Sequence, residues 1–245
     1  MTYGLLVPHY NHARQFERFL PSLLATGLTC LVIDDGSEAE QQLYLRKLLA
    51  EHPQMRLHCH VRNRGKGAAV KSGLCLARTL GFSHVIQIDA DGQHNLADLP
   101  QFIALSEQNP SAILSGKPTF DESVPKARKY GRRITDFWVA LETLSLRIKD
   151  GLCGYRVYPL NEMESVLDRF YIGARMDFDT EVLVKATWLN IPLYFIKTGV
   201  IYPENNVSHF KYWRDNLVLI RLHTRLMFGM LTRFPAILWR RVRSR

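Results

Sequence analysis

The first 120 residues alternate between short apolar runs that end in turn-forming residues and longer stretches with helical spacing. "GLLVP" reads as a buried strand and "ARQFERFLPSLLATG" as an amphipathic helix closed by Gly27. "TCLVIDDGS" is a second strand, and "EQQLYLRKLLAEH" is a second helix stopped by Pro53. "MRLHCHV" alternates as a strand should, and "GAAVKSGLCLARTLG" returns to helical spacing before another glycine. "HVIQIDADG", "LADLPQFIALSEQ" and "SAILSGK" supply a fourth strand, a fourth helix and a fifth strand. Strands separated by helices of this length require crossover connections, which are right-handed and place the strands in a mainly parallel sheet. The expected architecture is therefore α/β, with a Rossmann-like sheet flanked by helices.

After Lys117 the alternation breaks. "PTFDESVPKARKYGRRI" is polar and leads into a long helix expected to reach about Lys149. "DGLCGYRVYP" reads as irregular, "RMDFDTEVLVKATW" as a helix, and the stretch from Tyr194 to Tyr202 as an apolar strand pair. From Lys211 onward the pattern is helical. The net charge of +9 is concentrated in the last stretch: His209 to Arg245 holds nine Lys/Arg against one acid, Asp215. A nearly neutral domain over residues 1–208 and a basic amphipathic C-terminal helical segment over 209–245 are the expected divisions. Such a tail suits an anionic membrane surface or nucleic acid. No nucleic-acid recognition motif accompanies it, so no nucleic-acid partner is expected. Cys30, Cys59, Cys75 and Cys153 form no CxxC pair, which argues against a zinc site or disulfide framework and fits a reducing compartment. "MTYGLLVPHYNH" lacks the basic and apolar regions of a signal peptide, and no run approaches the roughly 18 apolar residues of a spanning helix. The expected location is cytoplasmic and peripheral on the membrane.

Ligands of open parallel sheets bind beyond the carboxyl ends of the strands. Here those ends carry Pro8, His9, Tyr10 and Asn11, then Asp34-Asp35-Gly36-Ser37, then "RNRGKGAA", then Asp89, Asp91, Gln93 and His94. Aromatic, acidic and glycine-rich basic elements on one rim suit a nucleotide. The glycine loop is neither a Walker loop nor a dinucleotide fingerprint, but it opens a helix, whose N-terminus favours an anion. Two aspartates one residue apart repel unless a cation offsets them. At a strand end both side chains can point the same way and share a hard divalent cation, Mg²⁺ or Mn²⁺. His94 reads as a surface turn residue.

Together "VPHYNH", "VIDDGS", "NRGKGAAVKSGL", "IDADGQH", "DGLCGYRVYP" and "FDTEVLVKA" resemble, in this order, the family 2 glycosyltransferases of GT-A fold. The nearest subgroup is the dolichol-phosphate mannosyltransferase-like and polyprenol-phosphate sugar transferases. The resemblance implies a metal-dependent, inverting transfer of a sugar from a UDP- or GDP-sugar to an acceptor, in particular a lipid-like or polyprenyl phosphate. It places Pro8, Tyr10, Asn11 and Asp35 around the nucleotide, with Lys66 nearby, and Asp89, Asp91 and Gln93 at the metal. It also puts Arg156 at the acceptor and an acid of "FDTEVL", Asp179 or Glu181, near the acceptor. A hydroxyl acceptor needs a general base, for which Asp179 and Glu181 are the candidates. A lipid phosphate is already anionic, and then Arg128, Arg132, Arg133 and Arg156 are candidates to hold it. Many polyprenol-phosphate transferases continue into transmembrane helices; this sequence has an arginine-studded segment in that place, suited to lying in headgroups. A sugar nucleotidyltransferase would want a glycine- and lysine-rich loop where "LLVPHYNHARQ" has none.

Overall fold

The structure, a computed structural model, describes residues 1–119, 126–199 and 212–243, without the side chains of 126–130, 212–216 and 240–243. A seven-stranded sheet has the order β3-β2-β1-β4-β6-β5-β7. Its strands are β1 (Tyr3–His9), β2 (Cys30–Asp34), β3 (Met55–Cys59), β4 (His84–Gln87), β5 (Ile113–Thr119), β6 (Arg156–Pro159) and β7 (Leu193–Gly199). β1 pairs in parallel with β2 and β4, β2 with β3, and β5 with β7. Only β6 runs against its neighbours, β4 and β5. The first four strands thus end on one rim, as the alternation requires.

β2 and β4 are buried at every position, as strands covered on both faces must be. β3, on the sheet edge, alternates between buried or half-buried and exposed residues. Successive side chains divide between the faces: Leu5, Val7 and Val32 pack with Phe16, Phe102 and Tyr155, whereas Leu6, Leu31 and Ile33 pack with Leu74, Phe178 and Val182. The first face is covered by α1 (Ala13–Leu24), α2 (Ala39–Ala50) and α4 (Leu99–Gln108), and the second by α3 (Lys66–Thr79). α6 (Leu160–Arg169) and α7 (Phe178–Trp188) join the second face, with α5 (Lys126–Thr143) and α8 (Tyr212–Arg243) packed outside α7.

Three expectations differ from what is observed. "DGLCGYRVYP" is not wholly irregular: its second half is β6, which is buried at all four positions but too short to show periodicity. α6 follows it and was not expected. α5 ends at Thr143 rather than near Lys149, because Leu144 takes a left-handed φ of 50°. Of the strand pair expected between Tyr194 and Tyr202, β7 is present to Gly199; the remainder lies outside the described residues.

Candidate active site

The rim is built by short hydrogen bonds between strand ends. Asp34 accepts from His9 Nδ1 at 2.8 Å, from Ser37 N at 3.0 Å, and from the Ser37 hydroxyl. Burial alone would raise its pKa; the bonds from His9 and Ser37 outweigh that and hold it below the usual carboxylate value. Asn11, at a left-handed φ of 54°, receives Glu38 N on its side-chain oxygen at 2.9 Å, and its own N–H donates to Ser37 Oγ at 2.8 Å. The loops after β1 and β2 are thereby locked together, with Pro8 half-buried and Tyr10 exposed beside them.

Asp35, expected at the nucleotide, turns inward. It takes His60 Nδ1 at 2.7 Å, Arg64 N at 3.0 Å and Gly65 N at 2.6 Å, so its carboxylate braces the glycine loop. The glycines of that loop make room for protein. A methyl at Gly65 would overlap the Ala174 carbonyl oxygen, and one at Gly67 would lie 2.5 Å from Phe178 Cβ. Ala68 N donates to Ala174 O at 2.9 Å. The start of α3 is thus packed against the chain leading into α7, in place of the anion that a glycine loop suggested.

This packing brings Lys66 to the centre of the cleft. Its Nζ lies 2.7 Å from Asp89 Oδ1 and 3.0 Å from Asp179 Oδ2. Burial would disfavour the ammonium, but the Asp179 and Asp89 carboxylates outweigh it and raise the Lys66 pKa. Burial likewise pushes Asp89 up, and Lys66 and His94 outweigh it, so Asp89 is held far below the carboxylate range. Asp91 is relieved less: burial and the neighbouring Asp89 charge outweigh the Gln93 N–H, His94 and Lys66 and raise its pKa. Gln93 N donates to Asp91 Oδ1 at 3.0 Å, which fixes the turn. Lys66 thus offsets the repulsion between the two aspartates mainly at Asp89, and Asp91 remains the disfavoured charge.

A divalent cation fits that residual charge. Asp89 and Asp91 offer hard oxygen donors, and among the described residues no group of three or more His, Cys, Asp or Glu could hold a metal alone. The protein would therefore contribute two carboxylates and leave other positions to ligand or water oxygens. His94 is not a surface residue: it is buried, with Nε2 3.5 Å from Asp89 Oδ2 and its ring 5.3 Å from that of Tyr155. Its place beside the DxD was the available sequence signal. Gly154 was also missed: a methyl there would overlap the Asp89 carboxylate.

The two acids of α7 part company. Residues two apart on a helix project about 200° from one another. Asp179 meets Lys66, with Gln87 Nε2 at 3.5 Å. Glu181 faces away from the cleft and is fully buried, accepting Gly173 N at 2.6 Å, Lys185 Nζ at 2.5 Å and Arg225 Nη2 at 2.7 Å. Arg156, expected near an acceptor phosphate, is also fully buried. Its guanidinium donates to Asp179 O at 2.5 Å, Gly151 O at 3.0 Å and Tyr158 Oη at 3.3 Å. Arg132 pairs with Asp150, whose other oxygen caps Leu152 N and Cys153 N at 2.9 and 2.8 Å. Arg133 is exposed on α5, and the side chain of Arg128 lies outside the described residues.

Comparison with known proteins bears on the family and the fold. The family model described as glycosyl transferase family 2 matches residues 5–160. A dolichyl-phosphate beta-glucosyltransferase from Dictyostelium discoideum is 28% identical over 215 residues, covering 78% of this chain and 63% of that protein. Its counterpart from Mus musculus is 26% identical over 220 residues, covering 78% and 64%. The chain therefore spans less than two thirds of the length of these relatives. Among solved structures, glucosyl-3-phosphoglycerate synthase from Mycobacterium tuberculosis in complex with Mn²⁺ and UDP-glucose superposes with a TM-score of 0.65 at 16% identity, covering 95% of this chain and 78% of that one. A mannosyltransferase from Pyrobaculum calidifontis in complex with GDP-mannose and Mn²⁺ gives 0.61 at 16%, covering 94% and 64%. The sheet order, the acidic turn after β4 and a family match across more than half the chain place this protein in glycosyltransferase family 2, with the GT-A fold.

Proposed function

We propose that this chain transfers a sugar, with inversion, from a nucleoside diphosphate sugar to a polyprenyl phosphate. Glucose from UDP-glucose is the first choice, on the strength of the dolichyl-phosphate beta-glucosyltransferase relatives. The observation that carries the reading is the charge cluster at the end of β4, in which Lys66 bridges Asp89 and Asp179 beside an Asp91 whose charge burial and Asp89 disfavour. Three carboxylates against one ammonium leave the cleft net negative, so with a divalent cation between them it would suit a diphosphate whose charge grows as the sugar leaves. Asp89 and Asp91 would hold Mg²⁺ or Mn²⁺ there, with Gln93 adjoining, and such an ion supplies Lewis-acid stabilisation of the leaving diphosphate. Lys66, already on Asp89, would add a point charge beside the diphosphate. Pro8, Tyr10 and Asn11 form the neighbouring rim that receives the nucleoside, and Asp35 holds the loop from which Lys66 projects.

The acceptor follows from the state of the acids. Asp179 is bound to Lys66, and Glu181 to Lys185, Arg225 and Gly173 N, so abstracting a proton with either would mean breaking an ion pair. A hydroxyl acceptor requires that step; a phosphate monoester arrives as an anion and does not. Arg133 remains available on α5 for an anionic acceptor. The test is incubation of the purified chain with UDP-glucose or GDP-mannose, Mn²⁺ and a polyprenyl phosphate, with mass analysis of the lipid. Polyprenyl phosphoglucose is the expected product, lowered about a hundredfold by Asp91→Asn. A folded protein that glycosylates only alcohols, or an Asp91→Asn variant of full activity, would overturn the reading.

A further inference from the structure

α8 is apolar on two sides. Leu222, Leu226 and Met230 are buried in the core cluster around Trp188, and that side fastens the helix to the domain. At 100° per residue the opposite side is a stripe of Leu217, Ile220, Thr224, Phe228, Leu231, Pro235 and Leu238. All seven are exposed, Phe228 by 66% and Leu231 by 56%. Single exposed apolar residues are ordinary; a stripe that follows one helix face across five turns is not. α5 continues the surface. It packs on α8 through the Glu142–His223 contact at 2.8 Å and the Trp138 ring 6.1 Å from that of His223, and it exposes Ile134, Phe137 and Leu141.

The charge of α8 beyond Asp215 has one sign. The sequence holds seven arginines and no acid after Asp215. Arg225 and Arg233 are turned toward the domain, on Glu181 and over the Phe170 and Trp188 rings, while Arg221 is exposed next to the stripe. Arg240, Arg241, Arg243 and Arg245 follow its end in sequence, and Arg133 is exposed on α5. A second copy meeting this face would set arginine against arginine, which is unfavourable.

We propose that the outer face of α5 and α8 is a docking surface for an anionic lipid bilayer, with the stripe immersed at headgroup depth and the arginines against lipid phosphates. Among the described residues no helix is long and apolar enough to cross a membrane, so the contact is a lateral one. This deepens the polyprenyl-phosphate reading and rests on it for its purpose: it brings the cleft to the layer in which such an acceptor is dissolved. The binding itself requires neither donor nor acceptor. The face thus completes the assignment of α8, one side of which belongs to the protein and the other to lipid.

The experiment is co-flotation of the full chain with vesicles of phosphatidylcholine alone or with a third phosphatidylglycerol, free of polyprenyl phosphate. Wild type is expected to float with the anionic vesicles and to be released in part by high salt. The Phe228→Ser/Leu231→Ser variant alters only exposed positions and is expected to keep its melting midpoint while its partitioning falls about tenfold or more. Transfer to a short, water-soluble polyprenyl phosphate, unchanged in that variant, separates docking from catalysis. No flotation by wild type, equal flotation by the variant, or a halving of particle mass in the variant by light scattering would each overturn the proposal, the last by identifying a second copy as the occupant. Failure of sugar transfer with normal flotation would remove the enzymatic reading and leave the lipid surface standing.

Discussion

Lys66 holds the cleft's charge balance at the scale of single residues. It is the only cation within 3.0 Å of Asp89 and Asp179 among the described contacts, and it lies between them. Replacing it with Met removes that bridge and leaves two carboxylates facing one another; breaking such a pair costs about 3 kcal/mol. Chemical denaturation of Lys66→Met should show a loss of that size, partly recovered by millimolar Mn²⁺ as a substitute positive charge. A recovery equal in wild type and variant would mean that the ion does not sit in this cluster. Gly154 acts on the same carboxylate by shape. Its missing methyl is the space that Asp89 occupies, so Gly154→Ala must move either the loop or the acid. Sugar transfer should fall about a hundredfold with the fold intact by circular dichroism, since a shift near 1 Å at a reacting centre has that effect. The place of the "IDADGQH" aspartates at the end of β4 was legible in the sequence because they follow directly on an apolar run. His94 and Gly154 were not, because their roles depend on what a separate loop places beside them.

At the scale of elements, α7 shows what a linear motif leaves out. "FDTEVL" offers two acids, and only helix geometry decides that one meets Lys66 while the other anchors α8. Glu181→Gln should therefore destabilise the fold by about 3–5 kcal/mol, by leaving Lys185 and Arg225 short of their shared carboxylate. It should also speed proteolysis within α8, with little change in the affinity for the sugar nucleotide. A large loss of donor affinity in a stably folded Glu181→Gln protein would contradict this division. α5 carries a pH dependence of its own. Burial, with the Asp150 charge adding to it, pushes the Asp136 carboxyl from 3.8 to about 6. A raised pKa in the folded state means that stability is fully present below 3.8 and is lost as pH rises through about 6. Asp136→Asn, which stays neutral, should raise the melting midpoint at pH 7.5, with most of that gain gone near pH 4. A gain of the same size at both pH values would show that Asp136 is ionised normally. β6, four residues between polar loops, was not readable from periodicity, because its burial comes from insertion between β4 and β5.

For the whole molecule, the first half of the chain specifies its architecture by pattern: four strand-helix alternations yield four parallel strands with their ends on one rim. The second half does not, because its elements are placed by contacts with the first. On the proposed function donor binding would couple the two halves, since Lys66 and Asp89 come from one and Asp179 and Gly154 from the other. A ligand bound only by the folded form stabilises it by about 2.7 kcal/mol at a hundredfold excess over Kd. UDP-glucose with Mn²⁺ should accordingly raise the unfolding midpoint, and Asp91→Asn should abolish the rise. An equal rise without the metal would separate donor binding from the aspartate pair.

The reversed direction of β6 carries one last implication. Because the chain enters β6 at the rim where β4 and β5 leave, the segment joining α5 to it, residues 144–155, crosses the mouth of the cleft without passing under the sheet. The length of its exposed start, around Leu146 and Arg147, is thus uncoupled from strand register, and insertions there would reshape the entrance while the scaffold below kept its hydrogen-bond ladder. Diversification of what this scaffold admits is cheapest at that seam.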